Sequence, residues 1–201
     1  MVIGMRMGRR SDHNRDELHE LILAAGSALV AQVGLSGFSA REVARRIGYS
    51  IGTIHNVFGS IDRLIAAINT RSFVAWTADL QRALDAAGDG DRIAALVDGY
   101  FAFAHANPTL WTAIYDHRLA PTDLSDADQI ARGALTEIIV VEVARALACP
   151  VDQQVSTLAR SLIATVHGHC AFSVSGAWAL MGETAPEAAA LSRVRETLAV
   201  T

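Results

Sequence analysis

The sequence predicts an all-α protein, and three observations carry that prediction. Its 201 residues are 51% hydrophobic and only 6% aromatic, with four prolines; an Ala-, Leu-, Val- and Arg-rich composition of this kind favours helix over sheet. Apolar residues recur at three- and four-residue steps along nine segments of the chain, the period of one buried helix face. No segment shows the two-residue alternation of a half-buried strand. The length suits one or two domains and allows a sizeable core.

The elements follow in order. Asp12 is placed to cap a first helix whose stripe is Leu18, Leu21, Ile22, Ala25, Leu29 and Val33, with Gly34 as its stop. "GLSGF" at 34–38 is a loop. Ser39 and Glu42 form a capping-box pattern for a second helix over about 40–47, the hydroxyl taking a free amide and the carboxylate reaching back. Gly48 can supply the left-handed turn that ends it. A third short helix runs over about 51–57, and Ser60 caps a long fourth one through Leu64, Ile65, Ile68, Phe73 and Leu80 to about 87. "GDGD" at 88–91 breaks the chain before a fifth helix to Ala106. "ANPT" at 106–109 stops that one, because proline disfavours a helical residue before it and suits a helix start. A short sixth helix holds Trp111, Ile114 and Tyr115; a polar connector at 119–126 leads to a seventh over about 125–148. Cys149-Pro150 ends it. An eighth helix is predicted from Asp152 to about Leu180, and Thr184 with Glu187 gives a second capping-box pattern for a ninth to about Leu198.

Charge is unevenly distributed. The net charge is −4, yet residues 1–76 carry +3 and residues 77–201 carry −7, all of the basic side chains being arginine. A basic head on an acidic body suggests a local anionic partner. The two cysteines, Cys149 and Cys170, have no zinc or disulfide spacing, and the N-terminus lacks the apolar core of a signal peptide, so a cytoplasmic location is expected. Residues 161–182 are uncharged and long enough to span a bilayer. Their Gly, Ser, His and Cys content, and the lack of basic clustering at one flank, argue for a buried helix and no membrane contact.

"AREVARRIGYSIGTIHNVF" at 40–58 holds two apolar patterns of helical period with a phase shift at Gly48. A helix-turn-helix needs a small residue where its helices touch, a glycine at the turn and an apolar anchor on the second helix. Ala44, Gly48 and Ile54 fill those positions, and Val43, Ile47 and Ile51 close the small core. A major groove admits one helix, so the polar face of the second helix would meet base edges and its amino end a phosphate.

The wider segment, "GFSAREVARRIGYSIGTIHNVFGSIDRLIAAI" at 37–68, resembles the DNA-binding domain of TetR/AcrR-family one-component bacterial regulators. The resemblance rests on the apolar first helix, Phe38-Ser39, Val43-Ala44, Ile47-Gly48, Gly52-Thr53-Ile54, Phe58, Ser60 and Leu64-Ile65. Beyond that segment the chain is similar in helix number, length and order. Asn107-Pro108 with Trp111, and His167-Gly168, also look like a subgroup of the family, although the tryptophan that commonly precedes His-Gly is replaced by Val166. The resemblance implies an N-terminal three-helix DNA-binding domain at 1–60 and a C-terminal helical effector-binding and dimerisation domain at 61–201. It implies a regulator, most simply a repressor, that binds a palindromic double-stranded DNA operator as a homodimer and is released by a small effector.

By that resemblance Arg41 reaches a base edge, guanine being the base that arginine pairs with best; a solvated arginine on an exposed face is the competing reading. Ser39, Thr53 and His55 look like phosphate contacts, Ser39 being equally explained as a plain cap, and Ser50, Ile51, Gly52 and Asn56 line the face that meets bases. Tyr49 either braces the turn or touches DNA. Three positions depart from the family pattern. His55-Asn56 stand where two aromatics are usual, Val57 where a histidine is usual, and Ile61 where a lysine commonly opens the fourth helix and touches phosphate. Loss of that contact should weaken binding and flatten its salt dependence, which keeps open a ligand-binding or dimerisation module that has lost DNA binding.

In the body, Phe73, Trp76, Tyr100, Phe103, Trp111, Tyr115, Phe172 and Trp178 fall on predicted helices four to eight. Such rings serve either as core or as the wall of a pocket between bundled helices. By resemblance, Phe73, Phe103, Trp111, Tyr115, His167 and Phe172 are candidate effector contacts, and an acidic, aromatic body favours a largely apolar, neutral or cationic effector. "HGHC" at 167–170 invites a metal, but His167 and His169 diverge by about 200° on a helix. His167 and Cys170 could share an ion, yet no third or fourth ligand is identifiable, so neither a metal nor a cofactor is assigned. No phosphate loop, nucleophile elbow, zinc-protease helix or carboxylate pair appears, which makes an enzyme the weaker class. Ala164, Gly168, Ala171, Ser175 and Ala179 form a small-residue stripe, so the homodimer is expected through the helices at about 152–180 and 186–198.

Overall fold

The computed structural model describes residues 13–118 and 124–201, and among them it holds ten α-helices and no strand. They are α1 (Arg15–Val33), α2 (Ala40–Ile47), α3 (Ile51–Phe58), α4 (Ile61–Ala87), α5 (Arg92–Ala106), α6 (Pro108–Asp116), α7 (Asp126–Ala146), α8 (Gln153–Val174), α9 (Ala177–Leu180) and α10 (Pro186–Ala199). Among the described residues, no helix is long and apolar enough to cross a membrane.

Most helix starts follow their local chemistry. Asn14 caps α1 in a full capping box: its side chain accepts from Glu17 N at 2.9 Å, and the Glu17 carboxylate accepts from Asn14 N at 3.0 Å. Asp12, the expected cap, lies outside the described residues. Ser60 caps α4 through Arg63 N, Asp91 caps α5 through Ala94 N, and Pro108 opens α6 at a position where no amide is needed. Ser125 and Asp128 form a capping box on α7.

Three local expectations are corrected. The predicted helix from Asp152 to Leu180 stops at Val174, because Gly176 takes the left-handed conformation (φ 76°, ψ 4°) and turns the chain. A four-residue α9 follows, so the helices number ten. The Trp178 indole N–H donates to the His169 carbonyl at 2.7 Å and folds α9 back against α8. At α10 the Thr184–Glu187 capping box does not form: Pro186 takes the first helical position, Ala185 becomes the cap residue, and no side chain caps the end. At α2 the Ser39 hydroxyl accepts from Glu42 N at 3.4 Å, but the Glu42 carboxylate is drawn away to arginines.

Two apolar cores result. One joins Ile22, Leu29, Val30, Val43, Ala44, Ile54 and Phe58 with Leu64 and Ile68 from the first turns of α4. The other gathers Trp76, Leu80 and Leu84 from α4 with buried residues of α5, α6, α7, α8 and α10. Each fully buried Leu or Ile contributes about 1.5–3 kcal/mol. α4 therefore runs through both cores as a 27-residue rod. α6 is the second bridge, with Ala113 and Leu110 on the head core and Trp111 and Ile114 on the body core. Polar contacts reinforce it: Thr109 Oγ1 donates to the Ala31 carbonyl at 2.8 Å, and His117 Nε2 lies 3.4 Å from Asp62 Oδ1. In the body, the buried Glu142 carboxylate accepts from Arg92 at 2.6 and 2.7 Å, and Arg92 also donates to the Leu84 and Gly88 carbonyls.

Candidate DNA-reading surface and effector site

The helix-turn-helix closes as its sequence pattern requires. Gly48 is left-handed (φ 74°, ψ 24°), and Tyr49 N donates to the Ala44 carbonyl at 2.9 Å across the turn. Val43, Ala44, Ile54 and Phe58 are buried and hold α2 and α3 on the head core. This packing leaves Ser50, Ile51, Gly52, His55 and Asn56 exposed on the outer side of α3. A Cβ built on Gly52 would meet only Ser50 Oγ, at 3.5 Å, so backbone can approach a partner closely there. Thr53 is half-buried. Its amide donates to Ser50 Oγ at 3.3 Å and the two hydroxyls lie 3.1 Å apart, which fixes the amino end of α3.

The arginines of α2 divide into two kinds. Arg45 donates to Glu42 through Nε and Nη2 at 2.8 Å each, and Arg46 donates to Glu42 at 3.0 Å and to Gln32 of α1 at 2.8 Å. Hydrogen bonds from Arg45 and then Arg46 hold the Glu42 carboxyl down at about 2. Arg41 is exposed and has no hydrogen bond or ion pair among the described residues. It is the arginine of α2 left open to a partner. Ile61, at the first position of α4, is half-buried against the head core.

The structure brings most of the candidate effector residues together, with Tyr100 of α5 at their centre. The Tyr100 hydroxyl lies 3.0 Å from the Tyr115 hydroxyl and 3.0 Å from His167 Nδ1. The rings of Tyr115 and His167 are 4.1 Å apart, and those of Trp111 and His167 are 5.0 Å apart. On the inner side, Trp76 meets Tyr100 edge-on at 4.6 Å and stacks on Phe103 at 4.9 Å. Phe73 flanks Trp76, and the Arg132 guanidinium stands 5.4 Å above the Phe73 ring. Phe172 is not part of this group: it is 48% exposed and faces Trp178. Tyr100, part of the predicted aromatic set but not a predicted site residue, is the hub. Its position three residues before Phe103 on one face of α5 was the available signal.

Burial sets the protonation of the group. It pushes the Tyr100 phenol far above its ordinary value, helped by neighbouring Tyr115, and raises Tyr115 as well. Desolvation lowers His167, which keeps the imidazole neutral at pH 7. Cys170 is fully buried, its thiol pushed up to about 12 by burial, and so is a packing residue and not a nucleophile. Among the described residues, no three His, Cys, Asp or Glu side chains converge as a metal site would require.

Two hollows adjoin these elements. An apolar slot of about 40 Å³ lies between α5, α7, α8 and α10, and Tyr100 lines one end of it. A groove of about 630 Å³ runs between head and body past Phe58, Arg63, Thr70 and Asp128. None of Tyr100, Trp111, Tyr115 and His167 lines the groove.

A solvent-open reading helix on a small core, rigidly joined to a larger helical body, is the architecture of a helix-turn-helix regulator. Residues 22–68 match the model of bacterial regulatory proteins of the tetR family, and residues 93–196 match that of the tetracyclin repressor-like C-terminal domain. The second match alone spans more than half of the chain, and the protein belongs to the TetR family of transcriptional regulators. Among solved structures, a protein from Rhodococcus sp. RHA1 is 27% identical with a TM-score of 0.73, over 95% of this chain and 97% of that one. A transcriptional regulator from the same organism is 21% identical with a TM-score of 0.61, over 90% and 95% of the two chains. The multidrug binding protein EbrR, complexed with imidazole, is 22% identical with a TM-score of 0.62, over 92% and 95%. At these identities the last two show the shared fold. Curated proteins give no match.

Proposed function

We propose that the protein is a ligand-responsive repressor, and not an enzyme, that binds a palindromic operator as a homodimer in the cytoplasm. The observation that carries this reading is the exposed face of α3 beside Arg41, which has no ion pair among the described residues. Arg41, Ser50, Ile51, Gly52 and Asn56 would meet bases, while Ser39, Thr53 and His55 would meet phosphates. Residues 1–60 would form the reading domain and 61–201 the effector and dimer domain. The outward face of α8, where Ala164 and Gly168 are exposed, would pack with α10 against a second copy. Two-fold symmetry then requires half-sites one or more helical turns apart.

The effector would act at Trp111, Tyr115 and His167 around Tyr100, with Phe73 and Phe103 behind them. α6 supports this placement because it carries Trp111 and Tyr115 on one side and packs on the head core on the other. A ligand that moves α6 therefore acts on the head, in proportion to its preference for the non-binding conformation. The test is a gel-shift with the DNA upstream of the protein's own gene, at several salt concentrations. Specific retardation that competitor DNA does not abolish supports a regulator. Retardation equal for every sequence, or none, favours the module without DNA reading that His55-Asn56 and Ile61 keep open.

A further inference from the structure

The hub holds more donors than acceptors. The indole N–H of Trp76, a fully buried residue, and that of Trp111, 3% exposed, have no hydrogen-bond partner of regular geometry. The Trp111 indole leans toward the Tyr100 hydroxyl without completing a bond. The Tyr100 hydroxyl is already engaged by Tyr115 and His167, which leaves its oxygen little capacity for either indole. Buried donors left unmade cost free energy that an incoming acceptor recovers. An ammonium group would bring further donors to a place that lacks acceptors. A carboxylate would bring a charge into a slot whose lining residues include no cation.

The slot on the other side of Tyr100 sets the rest of the ligand. Leu96, Val97, Ile139, Val143, Leu162 and Val166 line it, and Tyr100 is its sole polar side chain. Its volume of about 40 Å³ suits a slender aliphatic segment and leaves no room for a fused ring system. Aliphatic walls that meet Tyr100, whose hydroxyl sits in the hub, form an amphiphilic site. We infer that the effector is a neutral, slender aliphatic molecule bearing one hydrogen-bond-accepting oxygen, with its chain in the slot and its oxygen on the donors around Tyr100. This rests on the regulator reading above and narrows it: the apolar effector is neutral and oxygenated, not cationic.

The test compares 2-hexanone, hexylamine and hexanoate as probes of equal chain length on the full chain. Thermal melting reports binding, and operator retardation is followed on the same samples. The expected result is a concentration-dependent rise in melting temperature with the ketone, at least about tenfold tighter binding than either charged probe, and a similar loss in Tyr100→Phe. Val143→Phe should abolish ketone binding by filling the slot. Val143→Ile, which adds one methylene and is safer for folding, should weaken it. Binding of hexylamine or hexanoate as tight as the ketone, or unchanged ketone binding in folded Tyr100→Phe and Val143→Ile, overturns the inference. Ketone binding without operator retardation leaves the inference standing and removes the regulator reading. Operator retardation with no ketone binding does the reverse.

Discussion

Asn69, buried in the middle of α4, donates from Nδ2 to the Ala113 carbonyl of α6 at 3.1 Å. The two helices that span head and body are thereby joined by a buried polar contact, in addition to the surface contact of His117 with Asp62. The Asn69 Oδ1 has no hydrogen-bond partner among the described residues. Removing the amide loses a buried hydrogen bond and leaves a void, so Asn69→Ala should destabilise the protein by about 1–3 kcal/mol. Asn69→Leu removes the unpaired oxygen together with the bond and keeps the volume, so it should recover much of that loss. Chemical denaturation of the three proteins checks the order. A leucine variant no better than alanine would mean that the bond, and not the packing, sets stability there.

A second prediction separates reading from positioning on the DNA face. Arg41 is exposed and has no ion pair among the described residues, whereas Thr53 is tied to Ser50 at the amino end of α3. Arg41→Ala should cost about 1–3 kcal/mol at the right operator and relax preference at one base pair, while Thr53→Ala should weaken all sequences alike. Binding-site selection with each variant gives the readout. A wild-type specificity profile from the Arg41 variant would remove it from base contact.

Ile61 tests the missing phosphate contact. It sits at the first position of α4, half-buried, next to the exposed Asp62 and Arg63. A lysine there can lay its methylenes where isoleucine packs and extend its ammonium outward. Ile61→Lys should tighten DNA binding and steepen the dependence of log affinity on log salt by about 0.9 per contact, twice that for a dimer. An unchanged slope would place residue 61 away from the DNA backbone.

The head was legible because its local signals agree with each other. Ser39, Gly48, Ser50 and Ser60 each stand where a cap or a left-handed turn is needed, and Val43 and Ala44 before the turn and Ile54 and Phe58 after it all reach the head core. The misread places are those where two local signals compete. Glu42 can return to its cap or pair with two arginines one turn on, and the arginines win. Thr184 offers a cap, but Pro186 opens the helix at the next residue but one and displaces it. Gly176 lies in an uncharged stretch that reads as continuous helix until its backbone turns left-handed. The effector hub was legible only as a list of rings. Tyr100, Tyr115 and His167 lie on three helices, and no periodicity encodes which way a hydroxyl points.

The neutral state of His167 gives a pH prediction. Burial lowers its pKa in the folded chain below the ordinary 6.5. The unfolded chain therefore takes up this proton first as pH falls. The contribution to stability is fully present above the unfolded value and is lost as pH drops through about 6.5 toward the folded value. His167→Gln keeps a neutral hydrogen-bonding side chain against Tyr100 and should flatten that part of the decline. Melting temperatures of both proteins between about pH 7.5 and 5.5 make the comparison. Equal slopes would assign the decline to other groups.

Trp111 and Tyr115 lie on the same short helix but should answer mutation differently. Trp111 is 3% exposed and belongs to the body core, so Trp111→Ala should cost about 3–5 kcal/mol. Its melting temperature should fall, and DNA binding without effector should suffer with it, because α6 also carries Ala113 into the head core. Tyr115 is 44% exposed along its ring while its hydroxyl turns inward to Tyr100. Tyr115→Phe removes that one hydrogen bond, about 0.5–1.5 kcal/mol, and leaves the ring in place. It should melt near wild type, bind the operator as wild type does, and respond differently to effector because the donor set around Tyr100 has changed. Melting, operator affinity and effector response on the same two variants decide the matter. An unaltered effector response in Tyr115→Phe takes its hydroxyl out of the site, and a Trp111→Ala protein that stays stable takes the indole out of the core.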